Sequence, residues 1–132
     1  MFGKNKAQDA TRETLTRPDA LPDDFKLAFE KIYTAYGTQY DSWINEKVPR
    51  SKVIKKLSAG DPVTLRRVPY KSGHMYLAVH VPTGLDFGIF SSKEFTLLRH
   101  QYWGCIMEGT VVDPTGPDIA VKIYQPPVEL EE

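Results

Sequence analysis

One cysteine, three histidines and a few paired acids are the side chains of this sequence that could carry reaction chemistry. Cys105 lies in the apolar run Trp103-Gly104-Cys105-Ile106-Met107 and reads as a buried free thiol. A nucleophile needs a base within hydrogen-bond reach, and no local signature such as G-x-S-x-G accompanies it. An enzyme built around Cys105 is therefore the minor alternative to a non-catalytic protein. His74, His80 and His100 are too scattered for a pair of helical metal ligands, so no metal is assigned. Asp23-Asp24 suits a helix start, and Glu129-Leu130-Glu131-Glu132 reads as a solvated acidic tail. The glycines Gly60, Gly73, Gly84, Gly88, Gly104, Gly109 and Gly116 stand singly, without the spacing of a phosphate cradle. No cofactor is implied.

The cations carry more information. Lys47, Arg50, Lys52, Lys55, Lys56, Arg66, Arg67 and Lys71 fall within one stretch that holds a single acid, Asp61. Tyr70, His74 and Tyr76 follow directly. Phosphates pair with cations and bases stack on planar rings, at about 1–3 kcal/mol per base. Arg50, Lys55, Lys56, Arg66, Arg67, Tyr70, Lys71, His74 and Tyr76 are thus the candidate nucleic-acid contacts. The bland reading of the same residues is a solvated charged face with its rings turned inward. Arg66 and Arg67, adjacent in a strand, point to opposite faces, so only one readily joins the lysines.

With 132 residues, 41% of them hydrophobic, the chain has the length of one domain. Its 17 basic and 17 acidic residues cancel, so any attraction to nucleic acid is local. A lone cysteine rules out an internal disulfide and suits the cytoplasm. No apolar run approaches the ~20 residues that span a bilayer, and no membrane partner is expected.

The elements that position these residues follow from periodicity. Met1–Ala20 reads as a flexible arm. Phe25, Ala28, Phe29, Ile32, Tyr33 and Tyr36 recur at helical spacing and predict a helix from Asp23 to Tyr36, stopped by Gly37. A short turn over Gln39–Asn45 adds Tyr40, Trp43 and Ile44. This aromatic stripe is expected to be core, making 21–45 a helical extension. A short helix from Ser51 to Leu57 ends at Gly60-Asp61-Pro62. Strands are expected at Val63–Val68, Tyr76–Val81, Leu85–Phe90, across Tyr102–Val112 and at Ile119–Tyr124. Gly88 marks a bulge or close backbone approach. Ser91 or Ser92 caps a helix with Phe95 and Leu98 inward, and Ser91 with Glu94 would form a capping box. The fold class is α+β: a small antiparallel, partly open β-barrel of about five strands in a single domain, 21–126, followed by an acidic tail, 127–132.

The series Arg50, Ser51-Lys52-Val53, Ile54, Lys55-Lys56, Leu57, Ser58-Ala59, Gly60-Asp61-Pro62-Val63, Leu65, Arg66-Arg67 and Val68-Pro69 resembles the start of the HIRAN domain. Leu77–Val81, Phe87–Phe90 with Ser92-Lys93-Glu94, and Ile119–Tyr124 resemble its later parts in order. The likeness spans about residues 48–126. It implies a small OB-like barrel that binds DNA, in one branch at the 3′ end of a single strand. The loop that holds that end in the family carries an acid, and Met75 stands in its place here. The functions expected are a non-catalytic nucleic-acid-binding module, for single-stranded or end-containing DNA, or a protein-interaction domain working through the N-terminal helix.

Overall fold

The computed structural model describes residues 21–127. The arm at Met1–Ala20 and the acids Glu129–Glu132 lie outside the described residues. Six strands form one antiparallel sheet: β1 (Lys26–Thr34), β2 (Pro62–Tyr70), β3 (Gly73–His80), β4 (Leu85–Phe90), β5 (Ile106–Asp113) and β6 (Asp118–Gln125), in the order β1-β6-β5-β2-β3-β4. Two helices accompany them, α1 (Arg50–Ile54) and α2 (Ser92–Gln101). The sheet is not closed. Its edge strands approach each other at one bridge, where Tyr36 and Ile89 exchange backbone hydrogen bonds of 3.0 and 2.8 Å.

The expected N-terminal helix is a strand. A bulge between Leu27 and Phe29 resets the alternation, after which Phe29, Tyr33 and Ala35 turn inward. Apolar spacing across such a bulge imitates a helical period. Ile32, on the supposed buried stripe, is 55% exposed, and Tyr36, Tyr40 and Trp43 also face solvent. The extension is therefore β1 plus an irregular loop, and its aromatic stripe is not core. The strands number six because β1 joins the five foreseen. Helix α1 is shorter than expected and is capped by Pro49 without a side-chain hydrogen bond, not by Ser51.

The rest follows the local chemistry of the sequence. Ser91 caps α2 by accepting from the Glu94 backbone N–H at 3.3 Å, and Phe95 and Leu98 are buried. The β2–β3 hairpin turns through two residues, because Tyr70 pairs with Gly73. Lys71 adopts φ +53° there, a left-handed conformation that costs a lysine more than a glycine. Strand β2 meets β5 only at Pro62–Thr110 and Val63–Gly109 and then departs, so the outer half of the hairpin leaves that side of the sheet.

Strands β2, β3 and β4 have a core on each face. Val63, Leu65, Tyr76, Ala78, Phe87 and Phe90 join the main core with Phe95, Ile119, Val121 and Ile123. Val68, Met75, Leu77 and Val79 form a second cluster, covered by Ile44 from the loop after β1 and by Ile89. This explains why β3 is buried from Met75 to His80.

Gly88 sits at a register shift between β3 and β4, and both expectations for it hold. A Cβ placed there would stand 2.7 Å from the Ala35 Cβ and 3.1 Å from the Tyr36 carbonyl oxygen. Gly88→Ala is expected to destabilise the fold by about 1–3 kcal/mol. Ala35→Gly, added to it, should return part of that loss. A double-mutant cycle on urea midpoints measures the coupling, and simple additivity would contradict the contact.

Candidate functional site

The loop between β1 and α1 is fixed by one buried carboxylate. Asp86 of β4 is fully buried. It accepts hydrogen bonds from the Ser42 hydroxyl, the backbone N–H groups of Trp43 (2.8 Å) and Ile44 (2.9 Å), and Arg50 Nε (3.0 Å). Arg50 Nη2 completes the ion pair at 2.9 Å, and its Nη1 donates to the Gly37 carbonyl at 2.8 Å. Burial pushes the Asp86 carboxyl up, but the hydrogen bonds from Ser42, Trp43, Ile44 and Arg50 together outweigh it and hold it below the usual carboxylate range. Arg50, a candidate phosphate ligand by sequence, is therefore an internal strut, 4% exposed.

That strut presents Trp43 at the surface, 48% exposed, with its ring centroid 6.2 Å from that of Tyr70 in an edge-on arrangement. Beside them a cleft of about 170 Å³ is lined by Tyr36, Tyr70, His74, Met75, Ile89, Phe90 and Ser92. Tyr36 and Tyr70 are 52% and 43% exposed. The Lys71 ammonium lies 5.3 Å from the Tyr70 ring centroid, within cation–π range. Three exposed rings, an exposed imidazole and a cation thus share one end of the β2–β3 hairpin. Such a surface can stack planar groups and neutralise anions.

Lys55 and Lys56 lie elsewhere. With Lys52 they rim a groove of about 590 Å³ whose other lining residues are Val48, Val53, Thr83 and Leu85. Thr83 and Leu85 flank the far end of the β3–β4 hairpin. Arg66 and Arg67 are both exposed, and by register they point to opposite faces of β2. Tyr76 is 1% exposed, with its ring centroid 5.7 Å from that of Phe95. It is a core residue and cannot stack a base. Of the nine residues expected to bind, Tyr70, Lys71 and His74 are gathered at the cleft, Lys55 and Lys56 at the groove. Trp43 and Tyr36 were missed as surface rings because helical spacing assigned their stripe to the core. The local hint was the polar setting, with Gly37 directly after Tyr36 and Asp41-Ser42 directly before Trp43.

His80 and Cys105 are both buried in the fold. His80 is buried, with Nε2 2.7 Å from Asp61 Oδ2 and Nδ1 3.0 Å from Thr83 Oγ1. The hydrogen bond with His80 is the main cause that holds the Asp61 carboxyl below its ordinary range. This arrangement ties the β3–β4 turn to the start of β2. Cys105 is buried, and burial pushes its thiol up, away from the reactive thiolate. The native protein is expected to react with a thiol-specific disulfide reagent far more slowly than the urea-unfolded chain. Equal rates would place the thiol at the surface. Among the described residues, no group of three His, Cys, Asp or Glu could hold a metal ion, and no helix is long and apolar enough to cross a membrane.

No family model matches the chain, nor does any curated protein or solved structure.

Proposed function

We propose that the chain is a non-catalytic module that binds single-stranded nucleic acid, DNA in the first instance, with unpaired bases stacked in the Tyr36–Tyr70–His74 cleft. The observation that carries this reading is the gathering of exposed rings beside Lys71 at the hairpin tip. Stacking is tolerant of sequence, because every base offers a π-face, and it requires bases that are not paired. The HIRAN resemblance supports the same reading, with a small barrel-like sheet and the loop before the second core strand as the contact region. Cytoplasmic placement belongs to the same proposal and draws on the single free thiol.

Fluorescence anisotropy with short labelled single strands across a salt series tests it. Tyr70→Ala is expected to weaken binding by about 1–3 kcal/mol. Lys71→Gly is the sharper variant. It removes a cation where φ is +53° and relieves the backbone, so lost affinity cannot be ascribed to lost fold. It should also flatten the plot of log affinity against log salt by about 0.7. Binding without salt dependence, or unchanged in both variants, would contradict the proposal.

A second reading, a protein-interaction domain, draws on β1. Leu27 and Ile32 are 50% and 55% exposed on an edge strand, in place of the helical face expected there. If this face is the working surface, Ile32→Lys abolishes partner binding without changing the urea midpoint.

A further inference from the structure

We infer that the strand held in the aromatic cleft continues across Trp43 into the groove of Lys52, Lys55 and Lys56, so that the ligand is a single strand several nucleotides long and not a lone nucleotide. This deepens the reading of the cleft and rests on it.

The groove is built for anions. Lys52, Lys55 and Lys56 stand at i, i+3 and i+4. The backbone bonds Lys55 N–H to Ser51 O (3.2 Å) and Lys56 N–H to Val53 O (2.9 Å) continue the helical path past α1, so the three side chains share one face. No acid lines the groove, and none of the three lysines is in an ion pair among the described residues. Like charges at this spacing oppose one another, and a shared run of phosphates reverses that cost. The aliphatic floor of Val48, Val53 and Leu85 offers a dry face to a sugar or base edge.

One loop joins the two sites. The Val48 carbonyl, in the wall of the groove, accepts from the Ser42 backbone N–H at 2.9 Å. Trp43 is the next residue, and its indole meets Tyr70 at the cleft. The loop therefore links groove, indole and cleft in sequence, with Asp86 accepting hydrogen bonds from the backbone of Trp43 and Ile44 between them. Leu85 in the groove pairs with His80, and His80 pairs with Val63. Tyr70 at the cleft lies seven residues further along β2, about 23 Å at ~3.3 Å per residue. That reach suits the lower part of the site sizes found for small barrels, about 4–16 nucleotides.

The test is anisotropy of the full chain with labelled oligodeoxythymidylates from about 2 to about 12 nucleotides at several salt concentrations, with a matching oligouridylate series and a blunt duplex. Affinity should rise with length, and the salt slope should steepen by about 2 between the shortest and longest strands, as three lysines engage at ~0.7 each. Lys52→Ala/Lys55→Ala/Lys56→Ala should erase this gain while leaving the shortest strand's affinity unchanged. A gain in either sugar series supports the inference. Affinity that levels off at the shortest strand, a triple variant that binds the longest strand like wild type, or preference for the duplex overturns it and leaves the cleft reading standing. No binding at any length removes both.

Discussion

Asp86→Ala is expected to cost about 3–5 kcal/mol of folding stability, the range for removing one partner of a buried ion pair. The mechanism is specific. The substitution leaves the Arg50 guanidinium, 4% exposed, with the Gly37 carbonyl but without its carboxylate, and it removes the acceptor of the Ser42 hydroxyl and of the N–H groups of Trp43 and Ile44. Arg50→Met should cost less, because the carboxylate keeps its three donors from the loop. The pH dependence has a defined sign. The Asp86 carboxyl is depressed in the folded state, so its contribution is complete above the unfolded value, about 3.9, and disappears as pH falls through the lower folded value. Urea midpoints of wild type and Asp86→Asn should therefore differ at neutral pH and converge in acid. The loop also carries Trp43. On the proposed reading of the cleft, Asp86→Asn should weaken oligonucleotide binding at neutral pH even where the sheet remains folded. Coincident midpoints for Asp86→Ala and wild type would show that the carboxylate is not the anchor.

The parts of this fold that were legible in the sequence are those where local chemistry and tertiary context agree. Ser91 with Glu94, the alternation in Ile119–Tyr124, and Gly88 each make a local demand that the structure meets. Residues 26–34 are the opposite case. Their apolar spacing suits a helix, and only pairing with β6, more than 80 residues away along the chain, selects a strand with a bulge. A non-local partner of that kind leaves no local mark. The same misreading hid Tyr36 and Trp43 beside the cleft, since a helix would have turned the aromatic stripe inward. Arg50 and Tyr76 misled for a related reason. Composition places a cation or a ring near a patch, but burial is decided by what lies opposite, and here that is Asp86 and Phe95. The exposure of Tyr70, Lys71 and His74 was legible because a tight hairpin turn exposes its flanks whatever the rest of the chain does.

Phe95→Ala carries the other large effect, about 3–5 kcal/mol for a fully buried phenylalanine. Phe95 is 1% exposed, and its ring centroid lies 4.9 Å from Tyr33 of β1, 5.4 Å from Phe90 of β4 and 5.7 Å from Tyr76 of β3. Strands β1 and β4 are the two edges of the sheet, and among the described residues the backbone link between them is the Tyr36–Ile89 bridge, just past the end of β1. One ring from α2 thus packs against both edges where hydrogen bonding is sparse. Removing it should loosen that seam before it loosens the β5–β6 ladder, which pairs along most of its length. Hydrogen exchange can separate the two. In Phe95→Ala the amides of Tyr36 and Ile89 should lose more protection than those of Ala120 and Val121, and α2 should fray with them. Tyr36 and Ile89 also line the cleft, so on its proposed role oligonucleotide affinity should fall together with their protection. Uniform loss of protection across all six strands would mean that Phe95 is an ordinary core residue, and that the seam opens only when the whole sheet does.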